Sequence, residues 1–245
     1  WKMKINWGVI KFLVISGFIV FMFGFSKQRN EVRKITKIDI EFKEENRLFI
    51  TENMVNKMLI QNKDSAKSIG KETLDLNKME KRLLENPMIK NADIFVTIDG
   101  VLGVKVIQRR PLARVEGNPN FYLDEDGKNM PLSSVYSARV PIITGMSESQ
   151  YPEVTELVKK IINDEFMKEY VVGLDVTKEG DVFLRIRKNE FKVFFGKSEG
   201  IETKFQKFKA FYKLTKKDSL LDNYSLINLN FKDQVVAIKK ETNGG

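Results

Sequence analysis

The sequence predicts an α+β protein: an N-terminal transmembrane helix, a small βααββ domain, and a mostly antiparallel β domain with two flanking helices. Three observations support this class. Residues Gly8 to Phe25 form an apolar run in a polar, basic chain. Two amphipathic helical segments and a hairpin follow that run. Beyond them, short strand-like segments alternate with turns up to the C-terminus.

The apolar run is long enough to cross a bilayer. Residues 5–25 cover the roughly 20 residues that a transmembrane helix needs. Lys11 lies near the start, where its amine can reach the interface, and Trp7 is at the same end. A cleaved signal peptide is the alternative, but no small-x-small site follows, so an uncleaved anchor is favoured. Lysines and arginines lie on both sides, so charge leaves the orientation open.

Composition limits the possible functions. The 245 residues carry 42 Lys plus Arg against 33 Asp plus Glu, for a net charge of +9. Nucleic acid, an anionic membrane and an acidic partner all fit a basic chain, and so does a lysine-rich solvated surface, which is favoured. The chain has no Cys and no His, which excludes thiolate metal sites, His-ligated zinc and Ser-His-Asp triads. A role without a cofactor, a metal or a small-molecule substrate is expected.

The first soluble region, residues 35–115, has the pattern strand, helix, helix, strand, strand. A strand is expected around Ile38 and Ile40. Thr51 is expected to cap one helix, and a second helix is expected to start near Asn77 with Glu80 as its capping-box partner. Alternating apolar residues then predict two strands joined at a turn that contains Asp99 and Gly100. Those apolar residues are Ala92, Ile94, Val96, Ile98, Leu102, Val104 and Val106.

The second region, residues 116–245, predicts a β domain. Asp124 is expected to bond the backbone of a tight turn after a strand. A helix starts at Pro152, three strands follow between Tyr170 and Phe195, and a basic amphipathic helix covers Glu199 to Lys217. This helix could lie on an anionic membrane, but packing on the sheet is favoured. A final hairpin pairs residues 225–231 with residues 234–239.

Several short motifs carry a family resemblance. Asn86-Pro87-Met88-Ile89-Lys90-Asn91-Ala92 and the run from Leu102 to Val115 resemble the POTRA domain of the bacterial cell-division family FtsQ, also called DivIB. The segments Phe121 to Gly127, Val140 to Gly145 and Ser225 to Phe231 resemble the β domain of that family. Asn228 and Asn230 depart from the family's Asp and Arg, and Arg109 and Arg110 are expected to be solvated.

The resemblance implies an organisation and a function. Residues 1–4 would be a cytoplasmic tail, 5–25 a signal anchor and 26–34 a linker. The POTRA domain (35–115) and the β domain (116–245) would lie in the periplasm, at the division septum of the cell inner membrane. The family implies a non-enzymatic scaffold that recruits FtsB- and FtsL-like coiled-coil proteins and does not bind nucleic acid. A polypeptide-handling POTRA module and an envelope enzyme are the alternatives.

In that family a partner adds a strand to the C-terminal edge of the β domain. The resemblance therefore assigns the docking surface to the last hairpin, and strand alternation predicts that about half of its side chains face the core. The candidate residues are Phe231, Val235, Val236, Ala237 and Ile238.

Overall fold

The computed structural model describes residues 7–31, 35, 37–43, 49–60, 75–232 and 234–241. The chain divides into two compact units, one ending at Gln108 and the other beginning at Arg109. Each unit combines helices with a β-sheet. The predicted α+β class is confirmed.

Helix α1, Trp7–Glu31, contains the apolar run. Many of its apolar side chains are exposed, among them Phe12, Val20 and Phe23. Among the described residues, no helix is long and apolar enough to cross a membrane. The span expected at residues 5–25 is therefore not confirmed. The expected tail, residues 1–4, lies outside the described residues, as do residues 32–34 of the expected linker.

The rest of the first unit has the predicted βααββ order. Its elements are β1 (Lys37–Phe42), α2 (Glu52–Leu59), α3 (Leu76–Leu84), β2 (Ile89–Val96) and β3 (Val101–Gln108). The sheet order is β1-β3-β2, with β1 parallel and β2 antiparallel to β3. Both helices and the sheet contribute to the buried core, which includes Val55, Leu59, Met79, Leu83, Ala92, Ile94, Leu102, Val104 and Val106.

The two helix caps differ in how well the sequence predicted them. Thr51 caps α2 as expected, because its hydroxyl accepts the Met54 N–H at 3.2 Å. The second helix does start near Asn77, at Leu76, but its predicted cap and capping box were wrong. Asp75 is the cap and accepts the Lys78 N–H at 3.0 Å, so the helix already includes Asn77. Glu80 instead accepts a backbone N–H from β2.

The hairpin between β2 and β3 turns where predicted. Gly100 has a φ of 83°, a left-handed conformation that favours glycine, and its N–H donates to the Thr97 carbonyl. Ile98 was wrongly expected to continue the alternation of β2. It lies beyond the end of that strand and is 79% exposed.

The described residues of the second unit form a sheet of nine strands. Its strands are β4 (Pro111–Val115), β5 (Phe121–Asp124), β6 (Asn129–Pro131), β7 (Ile142–Thr144), β8 (Val171–Val176), β9 (Val182–Ile186), β10 (Lys192–Gly196), β11 (Tyr224–Asn228) and β12 (Val236–Lys239). The sheet order is β12-β11-β10-β9-β8-β7-β4-β5-β6. The helices are α4 (Tyr151–Asn163), α5 (Glu165–Tyr170) and α6 (Ile201–Lys217).

This sheet is mixed, which corrects the expectation of a mostly antiparallel domain. The pairs β4–β7, β7–β8 and β10–β11 are parallel. A parallel pair needs a crossover connection. Helices α4 and α5 provide the crossover from β7 to β8, and α6 provides it from β10 to β11. Three helices accompany the sheet in the described residues rather than two, because Asp164 caps α5 as a separate helix.

Helix α6 packs on the core, as favoured from the sequence. It buries Phe205, Phe208 and Tyr212. Lys204 is buried with them, and its amine donates to the Lys197 carbonyl at 2.8 Å. Burial lowers the pKa of this amine from its usual value.

The boundary between the units lies earlier than the sequence suggested. Residues up to Val115 were expected in the first domain. Strand β4 instead pairs with β5 and β7 of the second sheet. Arg109, expected to be solvated, donates to the buried carboxylate of Asp124 at 2.8 Å. A buried carboxylate needs such a partner, so Arg109 belongs structurally to the second unit.

Candidate partner-binding edge

Strand β12 forms one edge of the nine-stranded sheet in the described part of the chain. It pairs antiparallel with β11, where Leu226 faces Ile238 and Asn228 faces Val236. The side of β12 away from β11 carries backbone groups that no strand of this sheet pairs within the described residues. Such an edge can accept another strand.

The predicted site residues of the strand divide between its two faces. Val235 and Ala237 pack against the core, whereas Ile238 is 51% exposed and Val236 is partly buried. This division follows the alternation of side chains along a strand. Val236 and Ile238 are therefore the members available on the face away from the core.

Phe231 lies in the bend between β11 and β12 and not on either strand. Its side chain is 44% exposed. The Lys207 amine of α6 donates to the Phe231 carbonyl at 2.6 Å. The structure therefore places Phe231 beside the edge, with its backbone held by α6.

Two asparagines stabilise the chain where it leaves β11. The Asn228 side chain accepts the Asn230 N–H at 2.9 Å. Asn230 in turn packs against Gly196, where an added Cβ would lie 2.9 Å from Asn230 Oδ1. The sequence identified both asparagines only as departures from a family pattern. Their role depends on the close approach of β10, which local sequence does not reveal.

The face of the sheet away from the helices continues the apolar surface of β12. One row of paired residues across β10, β11 and β12 comprises Lys192, Leu226 and Ile238, and the next comprises Phe194, Asn228 and Val236. The Phe194 ring lies 4.9 Å from the ring of Phe183, measured between centroids. Sequence reasoning missed this surface, although the alternation of β10 was a signal for it.

Charged groups border the edge. Lys232 and Lys239 are exposed, and the Lys240 amine lies 2.6 Å from Glu190 Oε2. The hydrogen bond from Lys240 lowers the pKa of the Glu190 carboxyl. Further across the same sheet, Asp175 accepts from the Thr144 hydroxyl at 2.7 Å and from the Lys192 amine at 3.0 Å.

The described residues contain no group of three or more His, Cys, Asp or Glu side chains that could hold a metal ion. The buried or half-buried carboxylates instead accept from cations. Asp124 accepts from Arg109 and Asp164 from Lys209. The candidate site near the C-terminus is the β12 edge, which carries the exposed Ile238 and has charged groups nearby.

Comparison with protein families identifies the two units. The model described as "FtsQ/DivIB, C-terminal related" matches residues 110–238, just over half of the chain. The model described as "POTRA-like domain" matches residues 33–107. A search of curated proteins found no match.

A POTRA-like unit followed by this β domain defines a class of non-catalytic cell-division proteins. Proteins of this class are found at the division site and interact with other division proteins. The chain belongs to the FtsQ/DivIB family.

Proposed function

We propose that the chain is a non-enzymatic scaffold at the division septum. It recruits FtsB- and FtsL-type coiled-coil proteins and links early with late division proteins. The observation that carries this proposal is the outer side of β12, which no strand among the described residues pairs, beside the exposed Ile238. Family membership supplies the cell-division role.

Strand addition at β12 would use two kinds of contact. Backbone N–H and C=O groups of the edge would bond an incoming strand, which supplies affinity with little dependence on sequence. Apolar side chains at alternate positions would then select the partner. Val236, Ile238 and Phe231 would do so in this proposal, because Val235 and Ala237 pack against the core.

We also propose that residues 5–25 anchor the chain in the cell inner membrane. The support is the sequence of α1, which is almost entirely apolar from Phe12 to Phe25. Residues 1–4 would then be cytoplasmic, and the POTRA-like and β domains would lie in the periplasm. This arrangement would keep the β12 edge close to membrane-anchored partners at the septum.

An envelope enzyme that works through paired carboxylates has less support. Such an enzyme would need two acidic side chains that converge in a pocket. In the described residues, Asp124, Asp164 and Asp175 each pair with a cation.

Replacing Ile238 by Asp tests the proposed edge. We expect I238D to weaken binding of the FtsB-type protein of the same organism at least tenfold, because a charge would enter an apolar contact (about 1.4 kcal/mol or more). We expect F231A to weaken it less. Binding would be measured by titration calorimetry with the full chain in detergent.

Ile98→Asp is the matched control, because Ile98 is also an exposed isoleucine but lies in the first unit. Its affinity should equal that of the unmodified chain. If I238D and I98D are both folded by circular dichroism and bind the FtsB-type protein with equal affinity, β12 is not the docking edge.

A further inference from the structure

The sheet of the first unit also has an edge strand, β2, and a side chain accepts one of its backbone N–H groups. Strand β2 lies at one end of the order β1-β3-β2. In an antiparallel pair, alternate residues direct their backbone groups toward the partner strand and away from it. Ile94 faces Val104 on β3, yet its N–H donates to a side chain of α3. Ile94 therefore directs its N–H toward the side of β2 that no strand of the described residues pairs.

The acceptor is Glu80. Its Oε1 atom lies 2.9 Å from the Ile94 nitrogen. Glu80 is on the second turn of the short helix α3, and it is partly buried. A side-chain oxygen in this position occupies the donor that an incoming strand would need for its carbonyl oxygen.

The surface next to this donor would suit a second strand. Phe95 follows Ile94, is 38% exposed, and faces Gly103 across the ladder. A Cβ on Gly103 would lie 2.4 Å from the Phe95 ring, so the ring rests directly on the glycine. The Lys105 amine lies 5.6 Å from the ring centroid on the same face. The edge thus has β-forming residues and an apolar side chain beside it.

We propose that Glu80 protects the β2 edge. By accepting the Ile94 N–H, Glu80 prevents β2 from pairing with β2 of a second copy of this chain. Two identical edge strands can pair antiparallel about a two-fold axis, so a second copy already carries the complementary surface. With the Ile94 donor occupied, that pairing is blocked. This inference concerns the first unit and does not depend on the proposed function of β12.

The test uses the full chain in detergent and measures two quantities. Hydrogen exchange followed by NMR reports the Ile94 amide, and light scattering after size exclusion reports the protein mass. We expect E80A to become a dimer at about 100 µM, and at dilutions where it is monomeric the Ile94 amide should exchange about tenfold faster. Glu80→Gln keeps an acceptor oxygen and should behave like the unmodified chain.

Two further variants make the result unambiguous. Glu80→Asp retains the charge and the helix but is one methylene too short to reach Ile94, so it should dimerise even if E80A fails to fold. Glu85→Ala removes a charge from the exposed end of α3 and should stay monomeric. A folded E80D with a fast-exchanging Ile94 amide that remains monomeric would overturn the proposal, as would dimerisation of E85A.

Discussion

At the scale of single residues, buried charges shape the second unit. Asp124 is fully buried, and it accepts the N–H groups of Asp126 and Lys128 at 2.9 and 2.7 Å. Arg109 supplies the compensating charge. The sequence predicted the backbone bonds of Asp124, because an Asp before a Gly-containing turn commonly makes them. The sequence did not predict the contact between Arg109 and Asp124. These residues lie on either side of β4, and the sequence pattern placed Arg109 and β4 in the first domain.

Asp175 gives a second residue-scale relation, which depends on pH. Burial acts to raise the pKa of its carboxyl, but hydrogen bonds from Thr144 and Lys192 and the charge of Arg185 lower it overall. The Arg185 Nε atom forms an ion pair with Asp175 Oδ1 at 3.2 Å, without the alignment of a hydrogen bond. A carboxyl with a lowered pKa stabilises the fold when it is ionised.

Asp175→Asn should therefore destabilise the protein in a pH-dependent way. We expect a loss of about 1–2 kcal/mol at neutral pH, because a neutral amide replaces the paired carboxylate. This loss of unfolding free energy should have its full size above the usual carboxyl pKa of 3.8. It should shrink as the pH falls through the lowered pKa of Asp175. Urea unfolding between about pH 7 and pH 3 measures this difference.

Glu116→Gln is the control, because it neutralises an exposed carboxylate just after β4. Its unfolding free energy should match that of the unmodified chain at each pH. A D175N penalty that stays constant over this range would show that the ionised carboxylate does not stabilise the fold.

At the scale of elements, short-range signals predicted better than long-range ones. The cap of α2, the hairpin at Gly100 and the packing stripe of α6 all follow from residues close in sequence. The parallel pairing of β10 with β11 does not, because α6 separates the two strands. The sequence located these strands but could not show which of them are neighbours.

The approach of Asn230 to Gly196 leads to an element-scale prediction. Gly196 has a φ of 72°, and a Cβ there would lie 2.9 Å from Asn230 Oδ1. Gly196→Ala combines backbone strain with this close contact, so we expect a loss of about 2–3 kcal/mol in unfolding free energy. The variant should also loosen β11 and β12, which hydrogen exchange would detect.

Gly200→Ala is a matched control for backbone strain alone. Gly200 also has a positive φ of 58°, but nothing lies within 4 Å of its Cβ position. We expect G200A to cost about 1 kcal/mol. Equal losses for the two variants in urea unfolding would show that the contact with Asn230 contributes nothing.

At the scale of the whole molecule, the chain combines a POTRA-like unit with a larger β domain of the FtsQ/DivIB family. The sequence predicted both units and their order from motifs that are short but occur in the right succession. It placed the boundary too late, since the residues up to Val115 resemble the end of a POTRA domain but Pro111 to Val115 pair with the second sheet. The sequence could not show which strands lie at the edges of the sheet, because that depends on the order of all the strands. The structure was needed to identify β12 as an edge strand.

We propose that this chain supports division through the β12 edge. The most direct measurement is complementation in cells of the source organism that have been depleted of the native protein. Fluorescent fusions of the unmodified chain, I98D and I238D would be compared at equal abundance. We predict septal fluorescence and restored division for the unmodified chain and I98D, and filamentous cells for I238D. Restored division with I238D would show that division does not need the β12 edge. Normal division after depletion alone would show that the protein is not needed for division.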